Sequence, residues 1–263
     1  MEPATIELGT IEDDPNLDLI SYDGGSLSYF AFNTQKSPAD NEDLRKAVAY
    51  GIDVDSIIAV AAEGRGKKAT SFWGWNEYGF YDCGGYEYNP DKAKEYLAAS
   101  GLSPADCTFS IICSDDTKLR AGQVIQSSLK ENLGVDVTLE SMDLATYLDK
   151  TSAGDYQAAI GGYTSSDVLA HCMGVYHSKS IDGSNKTRLN DPEIDAFIDK
   201  IKATLDPEEN VKIVTELSKS LNEICPQVPL YLKNNVRAYA KGLEGFKMSP
   251  SGGMYISELS WSE

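Results

Sequence analysis

Between residues 107 and 163 short apolar runs alternate with helical stripes, and this alternation restricts the fold more than any other feature of the sequence. Thr108-Phe109-Ser110-Ile111-Ile112-Cys113 reads as a strand. Ala121, Ile125, Leu129 and Leu133 then share one face of a helix that Gly134 stops. Val135, Val137 and Leu139 alternate with Asp136, Thr138 and Glu140, as in a half-exposed strand. Leu144, Tyr147 and Leu148 mark a short helix, and residues 156–160 a third strand. A βαβαβ run hides its strands beneath helices, so the expected class is α/β, with helices packed on a mixed sheet.

Helix starts outside this run are equally legible. Asn89-Pro90, Asp191-Pro192 and Asp206-Pro207 each set a side-chain acceptor at the N-cap and a proline at the first helical position, where a missing N–H costs nothing. Helical spacing follows them, with Ile194, Phe197, Ile198 and Ile201 in one helix and Val211, Val214, Leu217 and Leu221 in another. Leu44, Ala47 and Val48 form a further stripe, and Asp53 starts a helix carrying Ile57, Ile58 and Ala61. Residues 27–33 and 228–232 read as strands, the second with a proline suited to an edge or a strand start. Residues 1–26 read as an acidic loop, and 242–263 as a Gly- and Ser-rich segment.

Charge narrows the partners. Against 41 acids stand 23 bases, a net −18, so the chain lacks the cations that displace counterions from nucleic-acid phosphates or anionic lipid. No apolar stretch approaches the ~20 residues of a bilayer span. Met1-Glu2-Pro3 has neither the basic nor the apolar part of a signal peptide. Five cysteines without a C-x-x-C pair argue against a zinc ribbon or a thioredoxin-like site; Cys107 and Cys113 can bridge only if the chain turns between them.

Few residues suit catalysis. His171, Cys172 and His177 lie close in sequence, but without zinc spacing the plainer reading is a loop. Neither G-x-S-x-G nor H-E-x-x-H occurs. Gly64-Arg65-Gly66-Lys67-Lys68 follows a helix rather than a strand, so it reads as a solvated loop and not a phosphate cradle. No cofactor or metal is expected. Two stretches suit binding instead. Residues 72–88 hold eight of the 25 aromatic residues, among them Trp73 and Trp75, with glycines between, as in a loop that lines a cleft or covers the core. Gly161-Gly162-Tyr163-Thr164-Ser165-Ser166-Asp167 follows the third strand, where α/β folds gather ligands; a turn closed by an Asx cap is the other reading.

Several of these segments, taken in order, resemble the extracytoplasmic solute-binding proteins of peptide and nickel ABC transporters, the dipeptide/oligopeptide-binding class. Leu27-Ser28-Tyr29-Phe30-Ala31-Phe32-Asn33-Thr34 is similar to that family's "yl-x-fNt" strand. Asp43-Leu44-Arg45-Lys46-Ala47 through Asp53 is similar to its "d-x-R-x-A-x-x-x-a-i-D" helix pair. Tyr88-Asn89-Pro90-Asp91-Lys92-Ala93, Asn190-Asp191-Pro192-Glu193 and Pro226-Gln227-Val228-Pro229-Leu230-Tyr231 match three further motifs.

The resemblance implies a periplasmic-binding-protein-like lobe and covers only the later part of such a protein. Residues 1–34 would join an absent first lobe, 35–225 would form the second-lobe α/β domain, and 226–263 would return toward the first. It implies a noncatalytic protein that captures a small solute or peptide between two lobes, outside the cytoplasm, and delivers it to ABC permease subunits. Membrane attachment would come only through an anchor on the absent N-terminal part. In peptide-binding members an aromatic and an aspartate, spaced Trp-x-x-Asp, hold the ligand's amino terminus. Tyr163 and Asp167 stand there with one more residue between them. Tyr163, Asp167, Trp73 and Trp75 are the candidate ligand contacts. The rival readings are a cytoplasmic regulator that senses a ligand with the same fold, and a small hydrolase.

Overall fold

The computed structural model describes residues 8–249 and 252–262. Met1-Glu2-Pro3, read above against a signal peptide, lies outside the described residues. The elements in chain order are α1 (Leu8–Glu12), β1 (Leu17–Phe32), α2 (Glu42–Gly51), α3 (Val54–Ala61), β2 (Gly66–Lys68) and α4 (Pro90–Ala99). Next come β3 (Phe109–Cys113), α5 (Asp116–Leu133), β4 (Val137–Ser141), α6 (Leu144–Ala153), β5 (Ala158–Thr164) and α7 (Val168–Val175). The chain ends with α8 (Pro192–Ala203), α9 (Pro207–Ile224), β6 (Gln227–Ala240) and four two-residue strands, β7 (Leu243–Glu244), β8 (Lys247–Met248), β9 (Met254–Tyr255) and β10 (Ser260–Trp261).

The helix ends follow the capping chemistry read from the sequence. Asn89, Asp191 and Asp206 accept backbone N–H bonds at the starts of α4, α8 and α9, each with proline in the first turn. Asp53 caps α3 through the N–H of Ser56, and Gly134 ends α5 in the left-handed conformation.

Six strands form one mixed sheet in the order β2-β6-β1-β5-β3-β4. β3 runs parallel to β4 and β5, whereas β1 is antiparallel to both β5 and β6. The carboxyl ends of β3, β4 and β5 therefore share one edge, the edge at which β1 enters. Helices cover both faces. Phe30, Phe32, Ile111 and Ile160 are buried in one cluster with Ile125 and Leu129 of α5 and Val48 of α2. Ile112 and Ala159 face the other way, against Tyr147 of α6 and Tyr156. Each large apolar side chain enclosed in this way contributes about 1.5–3 kcal/mol.

Several sequence expectations change: residues 8–12, read as loop, form α1, and 161–164, read as following the third strand, belong to it as part of β5. The acidic stretch 17–26 is strand, not loop, because β6 pairs with it from Leu17↔Ala240 to Asp23↔Asn234. Gly66–Lys68, read as a loop, adds an edge strand on β6. His171 and Cys172, also assigned to a loop, sit in helix α7. Cys107 and Cys113 lie before and at the end of a straight strand, both buried and both free thiols. Pro229 falls at the register shift where β6 enters the sheet, so its missing N–H disturbs no continuous ladder.

β1 and β6 are longer than the sheet. Leu27–Phe32 and Gln227–Leu232 run through its middle, while residues 17–23 and 234–240 leave the edge together as a two-stranded ribbon. A bulge separates the two parts: Asp23 pairs with Asn234, and the next pair is Leu27 with Leu232. Gly24 sits in this bulge, where a Cβ would lie 2.3 Å from the Lys233 carbonyl oxygen, so only glycine allows the strands to approach there.

Candidate functional site

The edge where β3 and β5 end carries a groove. Two adjoining concavities of about 240 and 310 Å³ share Lys118, Gly161 and Gly162. Tyr29 of β1 lies opposite Gly161, and its ring comes within 2.8 Å of where a Cβ at Gly161 would stand. Glycine is thus required there, and its bare backbone becomes the groove floor. Burial pushes the Tyr29 phenol well above its ordinary range, reinforced by Tyr156 and Tyr163, so it stays a neutral hydroxyl.

Lysines gather on this groove although the chain is acidic. Lys118, in the first turn of α5, pairs with Asp115, which caps that helix through the Lys118 N–H. Lys186 borders the smaller concavity; burial lowers its pKa, and its ammonium donates to the Gly183 carbonyl at 2.8 Å. Lys233 lines the larger one. A groove floored by exposed peptide groups and rimmed by ammonium groups can hold the polar backbone and the anionic end of a small solute.

The four residues singled out from the sequence occupy different places. Tyr163 borders the smaller concavity, and its half-buried ring meets the His171 ring edge-on at 5.1 Å. Asp167 is the N-cap of α7. Its Oδ1 accepts from the Ala170 N–H at 2.7 Å, and its Oδ2 from the Ser166 hydroxyl at 2.9 Å. The Asx-cap reading therefore holds for Asp167, yet the residue is only half-buried and its carboxylate keeps further lone pairs. Trp75 stands against Leu27 and Leu232 near the same edge, with the Lys67 ammonium 5.2 Å from its ring centre. Trp73 is 1% exposed, and its indole N–H donates to the Tyr81 carbonyl at 3.2 Å. That ring packs in the core beneath the aromatic loop.

The aromatic loop is fastened to the β5–α7 turn. The Tyr78 N–H donates to the Ser166 carbonyl and the Val168 N–H to the Tyr78 carbonyl, which brings Tyr78 beside Asp167. One residue earlier, Glu77 Oε1 lies 2.8 Å from His171 Nδ1, both side chains fully buried, and accepts the Gly74 N–H. His171 thus serves to hold this loop on α7. His177 lies apart from it, against Asp195 of α8 at 3.1 Å. Among the described residues no group of three or more His, Cys, Asp or Glu is arranged to hold a metal ion, and no helix is long and apolar enough to cross a membrane.

Residues 2–180 match the family model of the bacterial extracellular solute-binding proteins, family 5, middle region. The chain belongs to this family. It is 28% identical over 264 residues to the oligopeptide-binding protein OppA of Bacillus subtilis, covering 96% of this chain and 48% of the relative. It is 26% identical over 265 residues to heme-binding protein A of Haemophilus influenzae, covering 95% and 47%. Among solved structures, HbpA2 of Haemophilus parasuis superposes with a TM-score of 0.87 at 23% identity, covering 99% of this chain and 53% of that one. AppA of B. subtilis, in complex with a nonapeptide, gives 0.84 at 21% identity, with 100% and 56% coverage. The fold is thus that of the family-5 solute-binding proteins, and the chain spans about half the length of the curated relatives it matches.

Sequence reasoning missed Tyr29, Lys118 and Lys186 as groove residues of this family-5 chain. The rule that pointed to residues 161–167, ligands at the carboxyl ends of strands, applies equally to the end of β3 and would have found Lys118. Lys186 and Tyr29 carry no such signal, because they reach the groove from a loop and from an antiparallel strand.

Proposed function

We propose that this chain is one lobe of a two-lobe solute-binding protein of an ABC importer, and that it captures a peptide or similar small solute by closing against a first lobe. The observation that carries this reading is the shared edge: the lysine-rimmed groove opens where the β1/β6 ribbon leaves the sheet. A connector placed beside a binding groove suits two bodies that close on one ligand, with closure driven by contacts made only in the closed state. Membership of an extracellular solute-binding family and the half-length match support it.

In this reading Asp167 receives the ligand's ammonium group and Lys118 its carboxylate. Tyr163 and Trp75 contribute apolar wall on the same edge, and Trp73 supports the aromatic loop from below. The lobe binds and performs no chemistry, its place is outside the cytoplasm, and the permease subunits of the importer receive the loaded protein. The 263-residue chain presents half of the ligand's surroundings, so it should bind weakly alone. Titration calorimetry with the dipeptide Met-Leu should show saturable binding to the complete two-lobe protein and none to this chain at the same concentrations. Tight binding by the chain alone would sink the two-lobe reading.

A further inference from the structure

The groove is more cationic than a single ligand carboxylate requires. Lys118, Lys186 and Lys233 line its two concavities, and Asp115 is the one acid in their lining. That acid is already engaged, since it caps α5 and pairs with Lys118. Acids outnumber bases 41 to 23 in this chain, yet among the described residues neither Lys186 nor Lys233 has an ion-pair partner. Both are half-buried, so water meets their charge only in part. Burial lowers the Lys186 pKa with no neighbouring charge to oppose it.

The floor adds an unused donor. Tyr29 is 1% exposed, and its hydroxyl lies 3.0 Å from where a Cβ at Gly161 would stand. Among the described residues that hydroxyl has no hydrogen-bond partner, and its ring borders the same concavity as Lys118 and Lys186. A phenol that stays protonated can donate to an anionic oxygen without repelling it. Leu144, Tyr147 and Leu148 wall this concavity, so an ion pair formed inside it is screened less than one on open surface.

We propose that the groove selects solutes with two neighbouring anionic groups: Lys118 takes one carboxylate, and Lys186 with the Tyr29 hydroxyl takes the second. Lys233 adds positive charge from the larger concavity. The inference rests on the solute-capturing reading above and on Lys118 as its carboxylate partner, and adds the charge that the solute must carry. In a dipeptide the anionic group that can lie nearest the terminal carboxylate is the side chain of the last residue. A free dicarboxylate presents the same pair of charges without a peptide bond.

The test is titration calorimetry on the complete two-lobe protein with Ala-Glu, Ala-Gln, Ala-Lys and glutarate. Ala-Glu should bind about tenfold or more tighter than Ala-Gln, which keeps the shape and removes the charge, with Ala-Lys weakest of the dipeptides. Glutarate should bind more weakly than Ala-Glu. Lys186→Gln should bring Ala-Glu to within about threefold of Ala-Gln. Tyr29→Phe deletes a hydroxyl that no group of the described chain uses, so it should keep the melting temperature and still weaken Ala-Glu about threefold or more. Equal affinities for Ala-Glu and Ala-Gln would overturn the proposal and leave the solute-binding reading standing. So would an Ala-Glu preference that survives both substitutions. Glutarate binding tighter than every dipeptide would support the two-anion selectivity and overturn the peptide reading instead. If none of the four binds, both fall.

Discussion

At Asp167 the capping bond and the proposed ligand bond can be separated chemically. Alanine would remove both, at a cap cost of about 1 kcal/mol that blurs any binding result. Asparagine still accepts the Ala170 N–H and caps helices as well as aspartate does, but carries no charge. Asp167→Asn in the two-lobe protein should therefore leave the melting temperature within about 2 °C while weakening Leu-Ala tenfold or more, with N-acetyl-Leu-Ala unaffected. Equal weakening of both peptides would remove the ammonium role. The cysteines allow a second check at this scale. Cys107, Cys113, Cys172 and Cys225 are buried, and burial pushes the Cys225 thiol up to about 12, so these thiols should resist alkylation. Only Cys83 is partly accessible. Mass spectrometry after iodoacetamide should find at most one label on the native chain and five after unfolding in urea.

Among the elements, the helices were read best because their signals are local. A cap, a proline and a stripe lie within one turn of each other, so Asp53, Asn89, Asp191 and Asp206 marked helix starts without knowledge of the rest of the chain. The first half of β1 was illegible for the opposite reason. Its alternation changes phase between Leu19 and Ile20 and stops at Gly24-Gly25, and it is a strand only because β6, more than 200 residues later, pairs with it. Helix α7 was hidden by His171, whose ring looks like a polar interruption until Glu77 is seen to take it from another loop. The candidate site was legible to the same degree: residues 161–167 lie in one segment, whereas Tyr29 and Lys186 reach the groove only through tertiary contacts.

Two elements carry predictions of their own. Arg45 is 4% exposed, and its guanidinium donates to the carbonyls of Ala39, Asp40, Ile224 and Cys225, tying α2 to the end of α9. Arg45→Leu would leave those carbonyls without their donor and should cost about 3 kcal/mol or more, read as a lower urea midpoint at unchanged m-value. At the start of α6, the Thr146 N–H and hydroxyl hold the Asp143 carboxyl below its ordinary range. A depressed folded-state pKa means that the unfolded chain binds the proton more readily. The cap's contribution is then complete above the ordinary aspartate range, near pH 4, and is lost as pH falls through the lower folded value. Asp143→Asn should match the parent's melting temperature at pH 7 and lose less of it between pH 5 and pH 3.

For the molecule as a whole, the described chain divides into a body with a core and a ribbon without one. Within the sheet, residues 27–32 of β1 and 227–232 of β6 are buried almost without exception, whereas 17–23 and 233–240 are half-buried or exposed throughout. Local stability follows enclosed apolar surface, so hydrogen bonds in the ribbon should open far more readily than those in the sheet, even though the same two strands make both. The Gly24 bulge interrupts the ladder at the junction and lets one part open without the other. Hydrogen exchange on this chain alone should show strong protection at 27–32 and 227–232 and fast exchange at 17–23 and 234–240. In the two-lobe protein the ribbon should slow by tenfold or more, because a first lobe would bury the strands that the body leaves uncovered. A ribbon protected like the sheet in the isolated chain would mean that it is already part of the body, and the connector assigned to β1 and β6 would have to be sought elsewhere.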